Sequence, residues 1–163
     1  MAKISNKKLG NQFENMINRA NNFYDQKKYA RITKSNEPIT VTRFSKGQIR
    51  GGFFRAKSDP DYSGTMNNGQ SIVFEAKHST GTNIPFSQVK DHQERELLKH
   101  KKLGAESFLV IGFHFERFYK ININEWINLK NTINKKSLNE KDLSLYSFYI
   151  KNGVLDYLGY YNE

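Results

Sequence analysis

The stretch "SDPDYSGTMNNGQSIVFEAKHST" at residues 58–80 combines a turn signal with a charged strand. The sequence Asn-Asn-Gly at 67–69 tolerates positive φ angles, so it predicts a hairpin whose second strand ends in Glu-Ala-Lys. Alternation along that strand puts Glu75 and Lys77 on the same face. A hairpin of this size also brings Asp61, which precedes its first strand, back towards Glu75.

Two explanations fit this arrangement of charges. A Glu-x-Lys triplet is usually a plain surface ion pair, and a lone aspartate is usually a turn residue. Alternatively, Asp61 and Glu75 are two hard oxygen ligands of the kind that Mg²⁺ takes, and Lys77 orients an attacking water or stabilises charge on a phosphorane. Cleavage of a phosphodiester needs a metal, an activated water and a neighbouring cation. The triplet alone leaves both explanations open.

Length and composition bound the class of protein. The 163 residues, with twelve Phe and nine Tyr, suit one domain over 1–163 with a real core. The absence of cysteine excludes disulfides, thiolate zinc sites and a thiol nucleophile. No stretch approaches the roughly 18 to 20 apolar residues of a membrane span, and the N-terminus lacks the apolar region of a secretory signal. We therefore expect a cytoplasmic protein.

The positive charge is concentrated near the N-terminus. Residues 1–57 contain thirteen Lys and Arg against three acidic residues, so they carry all of the net charge of +10. Residues 58–163 contain equal numbers of basic and acidic residues. This asymmetry indicates a face that binds a polyanion, and the alternative is a surface that is merely basic and soluble.

The apolar periodicity predicts an α+β fold with a mixed sheet. Helices are expected over about 9–24, over about 87–102 with Ser87 as the cap, and over 124–133 opened by Asn124. Strands are expected at 29–34, 38–44, 53–57, 106–115 and 117–124, with the first two joined by a turn at Asn36. A closing hairpin is expected around the Asn-Gly pair at 152–153.

A basic insertion at about 43–57 is predicted to project as a flexible hairpin or loop, because it holds glycines and cations but no acid. Each of its cations can neutralise a phosphate. Phe53 or Phe54 is predicted to stack against an opened base, whereas the alternative is that one of them packs in the core. The candidate DNA-binding residues are Lys34, Arg43, Lys46, Arg50, Phe54, Arg55 and Lys57.

Pro60-Asp61 followed by Glu75-Ala76-Lys77 resembles the PD-(D/E)xK nuclease motif. More of the chain resembles the RecU family of Holliday-junction resolvases, with agreement in order and spacing over roughly residues 8–130. Matching segments are "NQFENMINRANNFY" (11–24), "ITKSNEP" (32–38), "FFRAKSDPDYSG" (53–64), "FEAK" (74–77), "DHQ" (91–93) and "FLVIGF" (108–113). One departure is Asp59 before the proline, where cellular members favour Ser or Thr. The short N-terminal segment is expected of a compact phage-encoded member.

The resemblance implies a restriction-endonuclease-like core, a mixed sheet flanked by helices, with a projecting basic stalk that enters the centre of a four-way junction. It implies Asp61 and Glu75 as ligands of Mg²⁺, with Mn²⁺ as a substitute, and Lys77 as the catalytic cation. Glu14 corresponds to the family's helical acid and is a third candidate ligand. The alternative for Glu14 is an ordinary solvated glutamate at the edge of the helix's apolar stripe.

Gln93 is a candidate from its own pattern, because helical spacing puts it on the inward stripe of its helix. A buried amide needs hydrogen-bond partners, and we expect Lys77 or a metal-bound water to supply them. The alternative is a bond to a nearby backbone carbonyl. Lys34 matches the family's basic residue after the first strand, which makes it a candidate for contact with DNA.

The leading hypothesis for function is a structure-selective endonuclease. It is expected to bind a four-way DNA junction as a homodimer, since a two-fold junction is matched by a two-fold protein, and to cut two opposed strands. A branch-migration helicase or a recombinase is the candidate protein partner. Two alternatives stay open: a restriction-type nuclease that cuts linear duplex, and a non-catalytic module that holds junctions.

Overall fold

The computed structural model describes residues 6–36, 39–54 and 59–162. Its helices are α1 (Asn6–Gln26), α2 (Asp91–Lys102) and α3 (Ile123–Thr132). Its strands, in chain order, are β1 (Ala30–Lys34), β2 (Ile39–Ser45), β3 (Gln48–Phe54), β4 (Tyr62–Met66), β5 (Ser71–Ser79), β6 (Asn83–Pro85), β7 (Glu106–Phe113), β8 (Arg117–Asn122), β9 (Ser137–Asn139), β10 (Ser147–Phe148), β11 (Ile150–Lys151) and β12 (Val154–Leu155).

A six-stranded sheet of order β1-β4-β5-β7-β8-β10 forms the centre of the fold. Strands β5 and β7 are parallel, and the other neighbouring pairs are antiparallel. A parallel pair needs a long crossover, and α2 supplies it here. The predicted α+β fold with a mixed sheet flanked by helices is confirmed.

Helices cover both faces of the sheet because its central strands are apolar on both faces. In β5, Phe74 packs with α1, whereas its neighbour Val73 packs on the opposite face with α2 and α3. Strand β7 alternates in the same way, with Val110 towards α1 and Leu109 towards the other helices. Parallel strands buried on both faces read as continuous apolar runs, which is the pattern of "FLVIGF".

Close contact between β1 and β4 fixes one end of the sheet. A Cβ atom on Gly64 would lie 2.2 Å from the carbonyl oxygen of Arg31, so only glycine allows this approach. At the ends of these strands Lys34 pairs with Tyr62, and the next residue, Ser35, donates its backbone N–H to the carbonyl of Asp61 at 2.8 Å. The approach therefore holds the end of β1 beside the carboxylate-bearing turn.

Two helix starts and one strand pairing differ from the sequence prediction. Helix α2 begins at Asp91, because residues 86–88 form a separate 3₁₀ turn, and Ser87 does not cap it. Helix α3 begins at Ile123, because the side chain of Asn122 caps it by accepting from the N–H of Asn124. Strand β1 pairs with β4 and not with β2, which leaves β2 and β3 as a separate hairpin.

The predicted turns at 67–69 and 152–153 are confirmed as the connections of β4 to β5 and of β11 to β12. No helix within the described ranges is long and apolar enough to cross a membrane.

Candidate active site

Asp61 and Glu75 hold each other across the β4–β5 hairpin. The backbone N–H of Asp61 donates to Glu75 Oε1 at 3.2 Å, and the backbone N–H of Ala76 donates to Asp61 Oδ2 at 3.3 Å. The register explains this convergence, because Tyr62 at the start of β4 pairs with Phe74 of β5. The predicted meeting of the two carboxylates at the end of the hairpin is present in the structure.

The second oxygen of Glu75 binds two further side chains. Gln93 Nε2 donates to Glu75 Oε2 at 2.6 Å, and Lys77 Nζ lies 3.2 Å from the same oxygen. Gln93 is itself fixed at the start of α2, where its Oε1 accepts from the backbone N–H of Lys90 at 3.1 Å. The inward position expected for Gln93 is therefore observed, but its partner is the Glu75 carboxylate and not Lys77.

Burial dominates the electrostatics of this cluster. The side chain of Glu75 is 1% exposed and that of Lys77 is 14% exposed. Burial, and then the hydrogen bond and charge of Asp61, raise the pKa of Glu75 from 4.5 to about 8, while Lys77 opposes the shift. Two carboxylates that face each other away from water resist double ionisation, so the pair favours either a shared proton or a bound cation.

The donor set fits a divalent cation of the Mg²⁺ type. Such an ion takes hard oxygens, keeps several waters and is commonly held by one or two protein carboxylates. Asp61 and Glu75 supply two carboxylates at one point, and the Ala76 carbonyl is the backbone oxygen between Glu75 and Lys77 in sequence. Within the described ranges, no group of three or more His, Cys, Asp or Glu residues is arranged to hold a metal.

Glu14 does not complete a three-carboxylate cluster in this structure. Its Oε2 lies 2.5 Å from Lys34 Nζ, which joins α1 to the end of β1. Both side chains are more than a third exposed, at 35% for Glu14 and 40% for Lys34. The structure thus brings together two residues that the sequence assigned to different roles, a metal ligand and a DNA contact.

The described residues of the predicted basic insertion belong to the two-stranded hairpin β2–β3, which is one of the two forms expected for it. Arg43, Lys46 and Arg50 all lie exposed on it. It forms its own ladder, separate from the six-stranded sheet. The candidates Arg55 and Lys57 lie outside the described residues, as does the side chain of Phe54.

Sequence reasoning missed a cavity that opens beside Lys77. Its volume is about 590 Å³, and it lies between the start of α1 and the end of β5. Gln88 lines it and donates through Nε2 to the carbonyl of His78 at 3.2 Å, while the ring of His78 stacks on Phe115 at 4.1 Å. No local pattern could have revealed this cavity, because its walls come from segments far apart in sequence.

The comparisons with known proteins agree with this geometry. The family model RecU, Recombination protein U, matches residues 8–163. The chain belongs to the RecU family. The resemblance seen in the motifs is therefore confirmed, and it extends through the C-terminal segment, beyond the roughly 8–130 range that the motifs covered.

Curated RecU relatives match most of the chain. The Holliday junction resolvase RecU of Lactobacillus acidophilus is 30% identical over 158 residues, which cover 93% of this chain and 74% of that protein. The Holliday junction resolvase RecU of Oenococcus oeni is 35% identical over 112 residues, which cover 65% of this chain and 56% of that protein.

A solved structure has the same fold as this RecU-family chain. Hjc, a Holliday junction resolvase from Archaeoglobus fulgidus, aligns with a TM-score of 0.52 at 13% sequence identity, covering 86% of this chain and 95% of that chain. At this identity the likeness concerns the fold alone. It supports the architecture of a mixed sheet flanked by helices.

Proposed function

We propose that this protein is a structure-selective endonuclease that resolves four-way DNA junctions by metal-dependent cleavage of phosphodiesters. The observation that carries the proposal is the contact of Asp61, Lys77 and Gln93 with Glu75, in the middle of β5. A chain that only held DNA would have no need for two facing carboxylates and a cation in a largely buried cluster. The RecU relatives, which are named Holliday junction resolvases, supply the substrate class.

Each residue of the cluster has a distinct task in this proposal. Asp61 and Glu75 would hold Mg²⁺, or Mn²⁺ as a substitute, and the bound ion supplies Lewis-acid charge at the scissile phosphate. Lys77 orients an attacking water and stabilises the charge that develops on the phosphoryl oxygens. Gln93 is a positioning residue, because it touches Glu75 and fixes the direction of that carboxylate.

The basic hairpin and the symmetry of the substrate support the remaining parts of the proposal. Arg43, Lys46 and Arg50 lie exposed on a hairpin with no acidic residue, which suits contact with phosphates. A four-way junction has two-fold symmetry, so a homodimer would present two sites to two opposed strands. A branch-migration helicase or a recombinase is the kind of protein that would work with it.

Cleavage of labelled DNA tests the proposal. Four-way junction and linear duplex of equal length are incubated with Mg²⁺, with Mn²⁺ or with a chelator, and both labelled strands are followed. We expect paired nicks in the junction, little cutting of duplex and none with the chelator. Glu75→Gln should lower the rate by at least about 100-fold, beyond the usual effect of losing a residue that only supports a metal ligand. Glu116→Gln, at an exposed turn, is the matched control.

Three outcomes would contradict the proposal. Equal cutting of duplex and junction would favour a restriction-type nuclease. Junction binding without cleavage in either metal would favour a non-catalytic module. Full activity of Glu75→Gln would remove the proposed site.

A further inference from the structure

The first turn of α2 contains only polar residues. Residues 91–94 read Asp-His-Gln-Glu, and the third of them is Gln93, which binds the Glu75 carboxylate. Buried apolar side chains flank this turn, with Val89 before it and Leu97 after it, but none lies within it. The position of the Gln93 amide therefore depends on polar contacts of the turn that carries it.

Glu94 ties this turn to α3. Its side chain is only 8% exposed. Trp126 Nε1 donates to Glu94 Oε1 at 2.8 Å, and Lys130 Nζ lies 3.0 Å from Oε1 and 2.8 Å from Oε2. Lys130 also lies 3.8 Å from Asp91 of the same turn, and the Trp126 ring is fully buried. Glu94, Trp126 and Lys130 together form what we call the Glu94 clamp.

The Glu94 clamp and the Gln93 contact share a single helical turn. The backbone N–H of Glu94 donates to the carbonyl of Lys90 at 3.0 Å, and the backbone N–H of Lys90 donates to Gln93 Oε1 at 3.1 Å. Successive residues of a helix point about 100° apart, so the two neighbouring side chains leave the turn in different directions. Gln93 reaches the sheet, Glu94 reaches α3, and the turn is held from both sides.

Small movements of this turn are enough to break the contact with Glu75. A carboxylate that loses its cation is more stable in water than in a buried site, so release of Lys130 would draw Glu94 and its turn outward. The Gln93–Glu75 bond measures 2.6 Å, and a displacement of about 1 Å would leave a separation that is no longer a hydrogen bond. A buried ion pair is by itself weak evidence for stability, which makes a role in positioning the better explanation for this one.

We propose that Glu94 and Lys130 are positioning residues of the metal site. Their ion pair holds the first turn of α2 against α3, and Gln93 then directs the Glu75 carboxylate towards the divalent cation. This inference rests on the proposed function and extends the support of the site to a helix that contributes no residue to the catalytic cluster.

Binding of Mn²⁺ to the full chain without DNA tests the Glu94 clamp, and the EPR signal of the free ion measures the affinity. In Glu94→Gln the amide oxygen can still accept from Trp126, but the ion pair is lost. In Lys130→Met the cation is removed and much of the side-chain length is kept. We expect each variant to weaken Mn²⁺ binding about tenfold, the lower end of the range for groups that support a metal ligand.

Cleavage of the four-way junction gives a second measure of the same effect. The Mn²⁺ concentration for half-maximal cleavage should rise about as much as the dissociation constant, about tenfold. The rate at saturating Mn²⁺ should change little, since the residues that bind the metal and the water are intact. A variant that is only less stable would lose rate without a shift in metal dependence.

A double-mutant cycle and a control variant identify the route of the effect. In the Gln93→Ala background, Glu94→Gln should weaken Mn²⁺ binding by less than about twofold, because both residues act through one contact. Glu106→Gln is the matched control. Glu106 pairs with Lys120 between β7 and β8, and both side chains are 26% exposed, so this variant loses a half-buried ion pair and should bind Mn²⁺ as the wild type does.

Amide hydrogen exchange reports the turn itself. The N–H of Glu94 is protected by its bond to the carbonyl of Lys90. In metal-free Lys130→Met this amide should exchange faster than in the wild type, whereas the amides of α2 after Leu97 should keep their rates, as expected for local opening. Equal acceleration throughout α2 would indicate a general loss of stability and would contradict the proposed positioning.

The outcomes separate this inference from the proposed function. A wild-type chain that binds no Mn²⁺ contradicts the proposed function. A wild type that binds Mn²⁺, with both variants at wild-type affinity, overturns the role of the Glu94 clamp alone. Fully additive effects of Gln93→Ala and Glu94→Gln also overturn it, because Glu94 would then act by another route. Failure of both variants to fold would assign the ion pair to stability and not to positioning.

Discussion

Gln93 Nε2 lies 2.6 Å from Glu75 Oε2, so the start of α2 is hydrogen-bonded to the middle of β5. The bond joins a residue in the first turn of α2 to a carboxylate that is 1% exposed. Because Gln93 also accepts from the backbone N–H of Lys90, its amide cannot turn away without losing a bond of the helix start. The direction of Glu75 is therefore set by the packing of α2 on the sheet.

Gln93→Ala should weaken the site without unfolding it. Losing a partner of a metal ligand typically costs 10–100-fold in metal affinity or activity, so we expect a shift of about that size. The measurement is the Mg²⁺ concentration for half-maximal junction cleavage, together with a thermal shift on Mn²⁺ addition in the absence of DNA. Gln70→Ala, at an exposed turn, is the control. An unchanged metal dependence would show that Gln93 does not position Glu75.

The stability of the metal-free protein should fall as pH rises through the neutral range. Folding raises the pKa of Glu75 from 4.5 to about 8, so the folded chain binds more protons than the unfolded chain between these values. Stability from this group is present below about 4.5 and is lost as pH rises towards 8, by at most about 1.4 kcal/mol per pH unit. Urea unfolding at pH 6 and at pH 8 measures the difference.

The variant Glu75→Gln provides the comparison for this pH dependence. It has no proton to exchange, so its stability should change less between pH 6 and pH 8 than that of the wild type. Added Mg²⁺ should raise the wild-type melting temperature more at pH 8 than at pH 6, because metal binding needs the ionised carboxylates. Identical pH profiles for wild type and variant would contradict the raised pKa.

The Glu14–Lys34 ion pair should influence DNA binding more than stability. An exposed pair of this kind contributes about 0–1 kcal/mol to folding. Lys34→Met should lower the affinity for junction and duplex alike. It should also reduce the slope of log affinity against log salt concentration by about one, as expected for loss of a phosphate contact. Glu14→Gln should raise DNA affinity in chelating buffer, because it frees the Lys34 ammonium.

The exposed Lys99–Glu96 pair, at 2.6 Å on α2, is the matched control for this ion pair. Lys99→Met should leave both the affinity and the salt dependence at wild-type values. Equal behaviour of Lys34→Met and Lys99→Met in filter binding would mean that Lys34 makes no contact with DNA.

Two alanine substitutions at glycines should act in opposite directions. In Gly64→Ala the added methyl would meet the carbonyl oxygen of Arg31 at 2.2 Å, and such overpacking typically costs about 1–3 kcal/mol. Gly10 lies in α1 with no atom within 4 Å of an added Cβ, so Gly10→Ala should stabilise by up to about 1 kcal/mol. Urea denaturation of both variants checks the signs. An unchanged free energy of unfolding in Gly64→Ala would indicate that β1 can move away from β4 without loss of stability.

Local patterns predicted the parts of the fold that depend on neighbours in sequence. The hairpin that brings Asp61 to Glu75 is encoded by a turn signal and an alternating strand, and both could be recognised in the sequence. Sequence could not show that Glu14 pairs with Lys34, because that contact depends on how α1 crosses β1. The start of α2 was misplaced for a similar reason: Phe86 is buried, so residues 86–88 serve packing of the core and not the helix.

The β2–β3 hairpin also shows which features the sequence could predict and which it could not. Its basic composition was readable, and its position outside the sheet was expected. The sequence suggested Phe53 or Phe54 as the residue that stacks on a base, and their side chains lie outside the described part of the structure. Only the register puts Phe44 opposite Ile49 at the turn, and a register depends on the turn that closes it.

The separate ladder of the β2–β3 hairpin has a consequence for how such proteins can change. Phe44 and Ile49 lie outside both clusters of the core, so substitutions there leave the packing around Glu75 intact. These exposed positions can therefore change in evolution without disturbing the proposed catalytic cluster. Exchanging this hairpin between relatives is a direct way to find out whether it influences the choice of DNA independently of cleavage.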